Sequence, residues 1–120
     1  MDVEQIAFTI IAHAGEAKSL AYSALREAEK NNFEKAENLI KEARTEINQS
    51  HQSQTDLLTS EANGEKTPIN VLLIHSQDHL MTSMLAIDFI QELIKIYKRK
   101  ILYSIKHIFS YICTKAHRCL

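Results

Sequence analysis

The chain has 120 residues, a formal net charge of −1 at neutral pH, and only two glycines and one proline. This length allows one domain, and the scarcity of turn-forming residues argues against a β sandwich or barrel and favours a few long helices. The near-zero net charge also argues against a dedicated nucleic-acid-binding protein.

Charge is unevenly distributed along the chain. Residues 1–100 contain 11 basic and 15 acidic side chains, whereas residues 101–120, which we call the basic segment, contain three basic side chains and no acidic one. Cys113 and Cys119 both lie in the basic segment, and their spacing matches neither a zinc site nor a disulfide scaffold. We therefore expect a reduced, cytoplasmic setting. The sequence also lacks signal-peptide features and any apolar run long enough to span a bilayer.

Two amphipathic helices are predicted in the first half of the chain. Apolar and small residues recur at three- and four-residue steps over residues 4–30, and the same period runs over Phe33–Ala62. Residues 48–55 of the second helix are polar, and His51 and Gln54 share one of its faces. This polar stretch either lines a binding site or faces solvent.

A third helix is predicted from about Ile69 to at least Lys98, with Thr67 as its cap and Pro68 in its first turn. Within it, residues 71–90 contain no lysine or arginine, and apolar side chains occur around the whole circumference. A helix that is apolar on every side must be covered on every side, and two partner helices cover only part of it. The sequence therefore predicts self-association.

One polar stripe interrupts this apolar helix. At about 100° per residue, four polar side chains lie within about 100° of arc: His75, Asp78, His79 and Thr82. Buried ionisable groups are costly unless they are paired or functional. Three interpretations remain open at this point. His75 and His79 can chelate a transition metal with help from Asp78, one imidazole can act as a nucleophile, or the stripe is a structural polar seam.

The residues around this stripe resemble a known family. The run Val71–Met84 (VLLIHSQDHLMTSM) is similar to the signature of the lactose/cellobiose-class IIA component of the bacterial sugar phosphotransferase system. Three earlier stretches agree with it: Gly15–Tyr22, Asn32–Ala36 and His51–Thr55. The resemblance covers residues 4–100 without gaps. We therefore divide the chain into a IIA domain, residues 1–100, and a helical extension, residues 101–120.

The resemblance implies an all-α fold, in which an antiparallel three-helix protomer assembles as a homotrimer around its third helices. It implies that His75 carries a phosphoryl group. Asp78 would face the three-fold axis and hold a divalent cation, because three buried carboxylates would otherwise repel one another. We expect this cation to be magnesium. His79 and Gln77 also match the family pattern, and we expect supporting roles for them.

The resemblance further implies a phosphocarrier. It would accept the phosphoryl group from the histidine phosphocarrier HPr and pass it to a cysteine of the cognate IIB component. The IIB component in turn serves the IIC permease, which takes up a β-linked disaccharide. The sequence contains no G-x-x-x-x-G-K-[ST] loop, so phosphate is not expected to come directly from ATP. We expect His79 and Thr82 to stabilise the phosphoryl group. His51 and Gln54 either flank it across a subunit interface or lie on a solvent-exposed face.

Two other functions are compatible with a small helical bundle. One is a non-catalytic docking adaptor, which has no need of a buried titratable stripe, and the other is a metal-binding bundle. The sugar is not readable from a component that does not touch it, although Met81–Met84 favours cellobiose or diacetylchitobiose over lactose.

The basic segment lies beyond the resemblance. Ile101, Ile105, Ile108 and Ile112 continue at helical spacing. We expect the segment to extend the third helix and pack on the bundle. The alternatives are an amphipathic helix that contacts the membrane surface and an unstructured addition.

Overall fold

The computed structural model describes residues 2–118, with side chains described as far as Ala116. It consists of three helices: α1 (Val3–Glu29), α2 (Phe33–Ala62) and α3 (Val71–Arg118). Short connections join the helices, and α1 packs against both others. This architecture confirms the predicted all-α three-helix protomer.

The start of α3 differs from the sequence prediction. The helix begins at Val71, because the side-chain oxygen of Asn70 accepts a hydrogen bond of 2.8 Å from the backbone N–H of Leu73. Asn70 thus satisfies a free donor of the first turn, which is the usual function of an N-cap residue. The predicted start at Ile69, with Thr67 as the cap, was therefore wrong.

The core is built around a strip of alanines on α1. Five of them are fully buried at steps of three and four residues: Ala14, Ala17, Ala21, Ala24 and Ala28. Small side chains let neighbouring helices approach closely. Larger buried side chains come from Ile10 of α1 and from the facing helices, including Ile40 and Ile47 of α2 and Leu80, Ile87, Ile90 and Ile94 of α3.

The basic segment continues α3 without a break as far as Arg118. Residues 102–116 are all exposed, so the expectation that this segment packs on its own bundle was wrong. The reason is the length of the other helices. Lys98 lies over the ring of Phe33, the first residue of α2, and α1 ends at the adjoining turn. No neighbouring helix extends alongside the described part of the basic segment.

Over residues 2–118, no helix combines the length and the hydropathy that crossing a membrane requires.

The alanine strip generates a stability prediction. Ala21→Leu adds a bulky side chain where the helices are in contact, and we expect it to lower the free energy of unfolding by about 1–3 kcal/mol. The matched control is Ser23→Leu, on the exposed side of α1, which should change it by less than about 0.5 kcal/mol. Urea unfolding followed by circular dichroism measures both. Equal losses would show that the strip is not a close-packed contact.

Candidate functional site

The polar stripe of α3 lies near the beginning of that helix. His75 is exposed, His79 one turn later is half-buried, and Asp78 is exposed between them. The side chain of His75 makes no hydrogen bond to the described residues. Its imidazole is therefore free to react with a molecule that approaches from outside the protomer.

The two histidines contact each other. Their ring centroids are 4.5 Å apart and the rings are nearly perpendicular, at 79°. Nδ1 of His79 is buried and has no hydrogen-bond partner among the described residues. Buried polar atoms without a partner are uncommon and often occur where a site is completed by another molecule. His79 is thus well placed to respond to a charge added to His75.

Thr82 lies farther along the stripe. Its hydroxyl donates a hydrogen bond of 2.7 Å to the backbone carbonyl of Asp78. It is also seven residues from His75, which corresponds to about 10 Å along the helix axis. The structure places Thr82 on the predicted stripe but does not bring its hydroxyl to His75.

Gln77, Gln54 and His51 lie away from His75 within the protomer. The amide of Gln54 donates a 2.6 Å hydrogen bond to Oε1 of Gln77, which joins α2 to α3. Gln77 is about 160° around the helix from His75. His51 is exposed on α2, one turn before Thr55, whose hydroxyl donates to the His51 carbonyl. A single protomer therefore does not assemble these three residues around His75.

A groove that the sequence did not reveal borders the glutamine pair. Its volume is about 240 Å³, and its walls are mostly apolar. Its lining comes from α2, from the connection to α3 and from the first turns of α3: Gln54, Leu57, Leu58, Glu61, Thr67, Ile69, Leu73, Ile74 and Gln77. The apolar residues Val71–Ile74, preceded by Ile69, are the sequence signal for it, and they alone do not predict a concave surface.

α3 has a second apolar face in addition to its core face. Ile74, Met81, Leu85 and Phe89 are each more than half exposed. At about 100° per residue, this outer face lies roughly opposite the side chains that fill the core. Asp78 sits within the outer face, and its carboxylate makes no hydrogen bond or ion pair with the described residues. An acidic group therefore lies in the middle of an uncovered apolar surface.

The structure also tests the transition-metal interpretation of the stripe. In the part of the chain that the structure describes, no group of three or more histidine, cysteine, aspartate or glutamate side chains is arranged to hold a metal ion. His75, His79 and Asp78 are neighbours on the helix surface, but they do not form such a group. A chelate built within one protomer is therefore not supported.

Positive charge near His75 is scarce. Residues 71–90 contain no lysine or arginine. Arg44 of α2 reaches α3, but it is paired with Asp88 at 2.5 Å and also contacts Gln91. Asp88 is 13 residues after His75, about 20 Å along the helix. Arg44 therefore does not neutralise an anion on His75.

His13 has a partner that the sequence did not reveal. Its Nδ1 lies 2.6 Å from a carboxylate oxygen of Glu46, and both side chains are about 30% exposed. The contact joins α1 to α2 in the same antiparallel register as the hydrogen bond from Ser50 to the Ile10 carbonyl. Such pairs align the helices, which agrees with a structural role for His13.

Comparisons with known proteins find relatives that match most of the chain. A family model described as "PTS system, Lactose/Cellobiose specific IIA subunit" matches residues 5–98. The lactose-specific EIIA component of the phosphotransferase system of Lactococcus lactis subsp. lactis is 47% identical over 94 residues, which cover 78% of this chain and 90% of that protein.

Two solved structures are similar as well. The crystal structure of the cellobiose-specific enzyme IIA from Bacillus anthracis aligns with a TM-score of 0.82 and 41% identity, over 85% of this chain and 94% of that one. The second similarity is to solution structures of the IIA(Chitobiose)–HPr complex of the Escherichia coli phosphotransferase system. The IIA(Chitobiose) protein aligns with a TM-score of 0.72 and 36% identity. That alignment covers 82% of this chain and 96% of the other.

Proposed function

Because this chain belongs to the lactose/cellobiose-specific IIA family of the bacterial sugar phosphotransferase system, we propose that His75 is the residue that carries its phosphoryl group. The protein is a phosphocarrier component that accepts the group from HPr. The observation that supports His75 is its exposed imidazole, which makes no hydrogen bond to the described residues and whose ring centroid lies 4.5 Å from that of His79.

The transfer needs little covalent chemistry from the protein. A neutral imidazole nitrogen of His75 attacks the phosphorus of phospho-HPr. The new phosphorus–nitrogen bond forms as the donor's phosphorus–nitrogen bond breaks, and the departing electron pair returns to the donor imidazole. Alignment and charge stabilisation dominate such reactions.

His79 is the residue that we propose for stabilising the phosphoryl group. Its ring meets that of His75 nearly at a right angle, and no basic side chain in residues 71–90 competes for the role. A histidine N–H can donate to a phosphoryl oxygen, and a protonated imidazole adds a favourable charge. Gln77 would support the site from the other flank of α3.

The donor and acceptor follow from the family. HPr is the donor, and the complex of HPr with the chitobiose relative supports this assignment. The acceptor is a cysteine of the cognate IIB component, which serves the IIC permease. The similar proteins are named for lactose, cellobiose and chitobiose, so the transported sugar is a disaccharide of this class. The exposed free thiol of Cys113 suits the reducing cytoplasm, where we place this protein.

We further propose that three copies assemble through the outer face of α3. The support is the row of exposed apolar side chains around Leu85, since large uncovered apolar surfaces are rare on monomers. His75 lies on one flank of that face and Gln77 on the other, each about 80° from its centre. In a closed ring, one flank of each copy meets the opposite flank of the next. The ring would bring His51, Gln54 and Gln77 of a neighbour towards His75.

Asp78 suits a divalent cation within such an assembly. One unpaired carboxylate per copy lies in the outer face, so three copies would bring three negative charges into an apolar interface. That arrangement requires either proton uptake or a counter-ion. Carboxylate oxygens are hard ligands that magnesium accepts. Bound there, the cation would stabilise the assembly, and the phosphoryl transfer on His75 would proceed without direct contact with it.

The central prediction concerns His75. His75→Asn should reduce labelling from radioactive phosphoenolpyruvate, in the presence of the general phosphotransfer proteins, to background, because the attacking nitrogen is lost. His107→Asn, which removes an exposed histidine of the basic segment, should be labelled like the original protein. Since His75 makes no internal hydrogen bond, its variant should also unfold at the same urea concentration. Stable labelling of His75→Asn would refute the assignment.

The assembly prediction compares two leucines of α3 with similar exposure, Leu85 at 57% and Leu102 at 59%. Leu85→Asp places a charge in the proposed interface and should convert the trimer to monomers in sedimentation velocity. Leu102→Asp should remain trimeric. If Leu102→Asp dissociates the assembly and Leu85→Asp does not, the interface lies in the basic segment and the outer face is not used.

The cation prediction uses thermal unfolding. Magnesium should raise the melting temperature of the original protein relative to EDTA, and Asp78→Asn should abolish this difference because the shared charge is gone. Asp56→Asn, an exposed aspartate of α2, should retain it. A magnesium effect that persists in Asp78→Asn would place the cation elsewhere.

A further inference from the structure

The basic segment has two distinct faces. Its apolar side chains point to one side and are 57–69% exposed: Leu102, Ile105, Ile108, Phe109 and Ile112. The opposite side carries Lys106, His107, Ser110 and Thr114. At about 100° per residue, the apolar face continues the direction of the α3 core face, past the point where α1 and α2 stop. The segment is therefore an amphipathic helix whose apolar side has no cover.

Its charge is of one sign. After Glu92 the sequence contains seven lysines and arginines and no acidic residue. Lys106 and Lys115 lie within the described helix itself, and Arg99 and Lys100 lie at its base. The two tyrosines of the segment pack against polar neighbours, with Lys115 Nζ 5.3 Å from the ring centroid of Tyr111.

A second copy of the segment is a poor partner for this face. Paired helices of this sequence would bring lysines together with no acidic side chain to compensate, whereas helix pairs are normally specified by opposite charges at their edges. The proposed trimer does not cover these apolar faces either, because they point away from the outer face of α3, through which the copies would meet. Self-association therefore leaves this surface uncovered.

We propose that the basic segment binds the surface of an anionic lipid bilayer, with its apolar face among the acyl chains and its lysines near the headgroups. An amphipathic helix with basic side chains beside its apolar face, here Lys106 on the polar side and Lys115 at the border of the apolar side, is suited to lie in this interface. No helix over residues 2–118 is both long and apolar enough to cross a membrane, so we place the segment at the bilayer surface. Anionic lipid would cover the apolar face with its acyl chains and neutralise the excess positive charge with its headgroups.

The fold permits this binding without disturbing the bundle. Residues 102–116 are all exposed, so binding through this segment would break no contact with α1 or α2. In the trimer, on which this step rests, three segments would leave the same end of the assembly. Their binding would then be multivalent and stronger than that of a single helix.

The test is co-sedimentation of the full chain with vesicles. The chain should bind vesicles of phosphatidylcholine and phosphatidylglycerol at low salt, with weaker binding at high salt and little binding to pure phosphatidylcholine. Ile108→Asp with Ile112→Asp should abolish binding. Ser110→Asp with Thr114→Asp introduces the same charge on the polar face, and this variant should retain most of the vesicle binding. Replacing Lys106 by glutamine should weaken binding about fivefold.

Three outcomes would overturn the proposal: no binding to anionic vesicles, equal binding to neutral ones, or equal loss in the two double variants. If the double variant Ile108→Asp with Ile112→Asp also has a lower sedimentation coefficient in the absence of lipid, the segment serves self-association instead. Labelling from phospho-HPr in solution should be unchanged in every one of these variants. This readout separates failure of the membrane proposal from failure of the phosphocarrier assignment.

Discussion

The structure depends on an excess of apolar surface on α3. Two neighbouring helices cover one face of it, where Leu80 and Ile87 are fully buried against the bundle. The alanine strip of α1 makes that contact close, since side chains of this size keep the helix surfaces near each other. The outer face around Leu85 remains uncovered. The proposed trimer and cation site follow from this arrangement, because Asp78 lies within the uncovered face.

The same helix accounts for the chemistry. His75 lies at the edge of the outer face, where it is open to a partner protein yet close to the surface that a second copy would cover. His79 lies one turn later and has a buried nitrogen without a hydrogen-bond partner among the described residues. In the proposed mechanism, a hydrogen bond from His79 to a phosphoryl group on His75 would have more effect than in water once a second copy covers the site. Residues 71–90 contain no lysine or arginine that could take this role.

The basic segment extends the core pattern of α3 past the end of the bundle. Residues such as Ile105 and Ile112 have the spacing of core residues, but the helices that would cover them have already ended. The family match stops at residue 98, which agrees with this boundary. The apolar face of this segment is exposed and has basic side chains beside it. An anionic lipid bilayer, with an apolar interior and negatively charged headgroups, is a suitable partner for such a face. The proposed membrane contact of this segment would attach the phosphocarrier to the bilayer surface.

Periodicity alone predicted the three helices, and the bounds of α2 agree with the prediction, because apolar spacing and the polar loop residues are local properties. The histidine stripe was equally local, since neighbours on a helix surface are set by spacing.

Other features required the tertiary structure. Asn70 rather than Thr67 begins α3, since only a specific side-chain geometry selects between two possible caps. The Gln54–Gln77 and His13–Glu46 contacts join residues far apart in sequence. Whether Ile108 is covered or exposed depended on where α1 and α2 end in space, which the spacing of isoleucines along one helix does not encode.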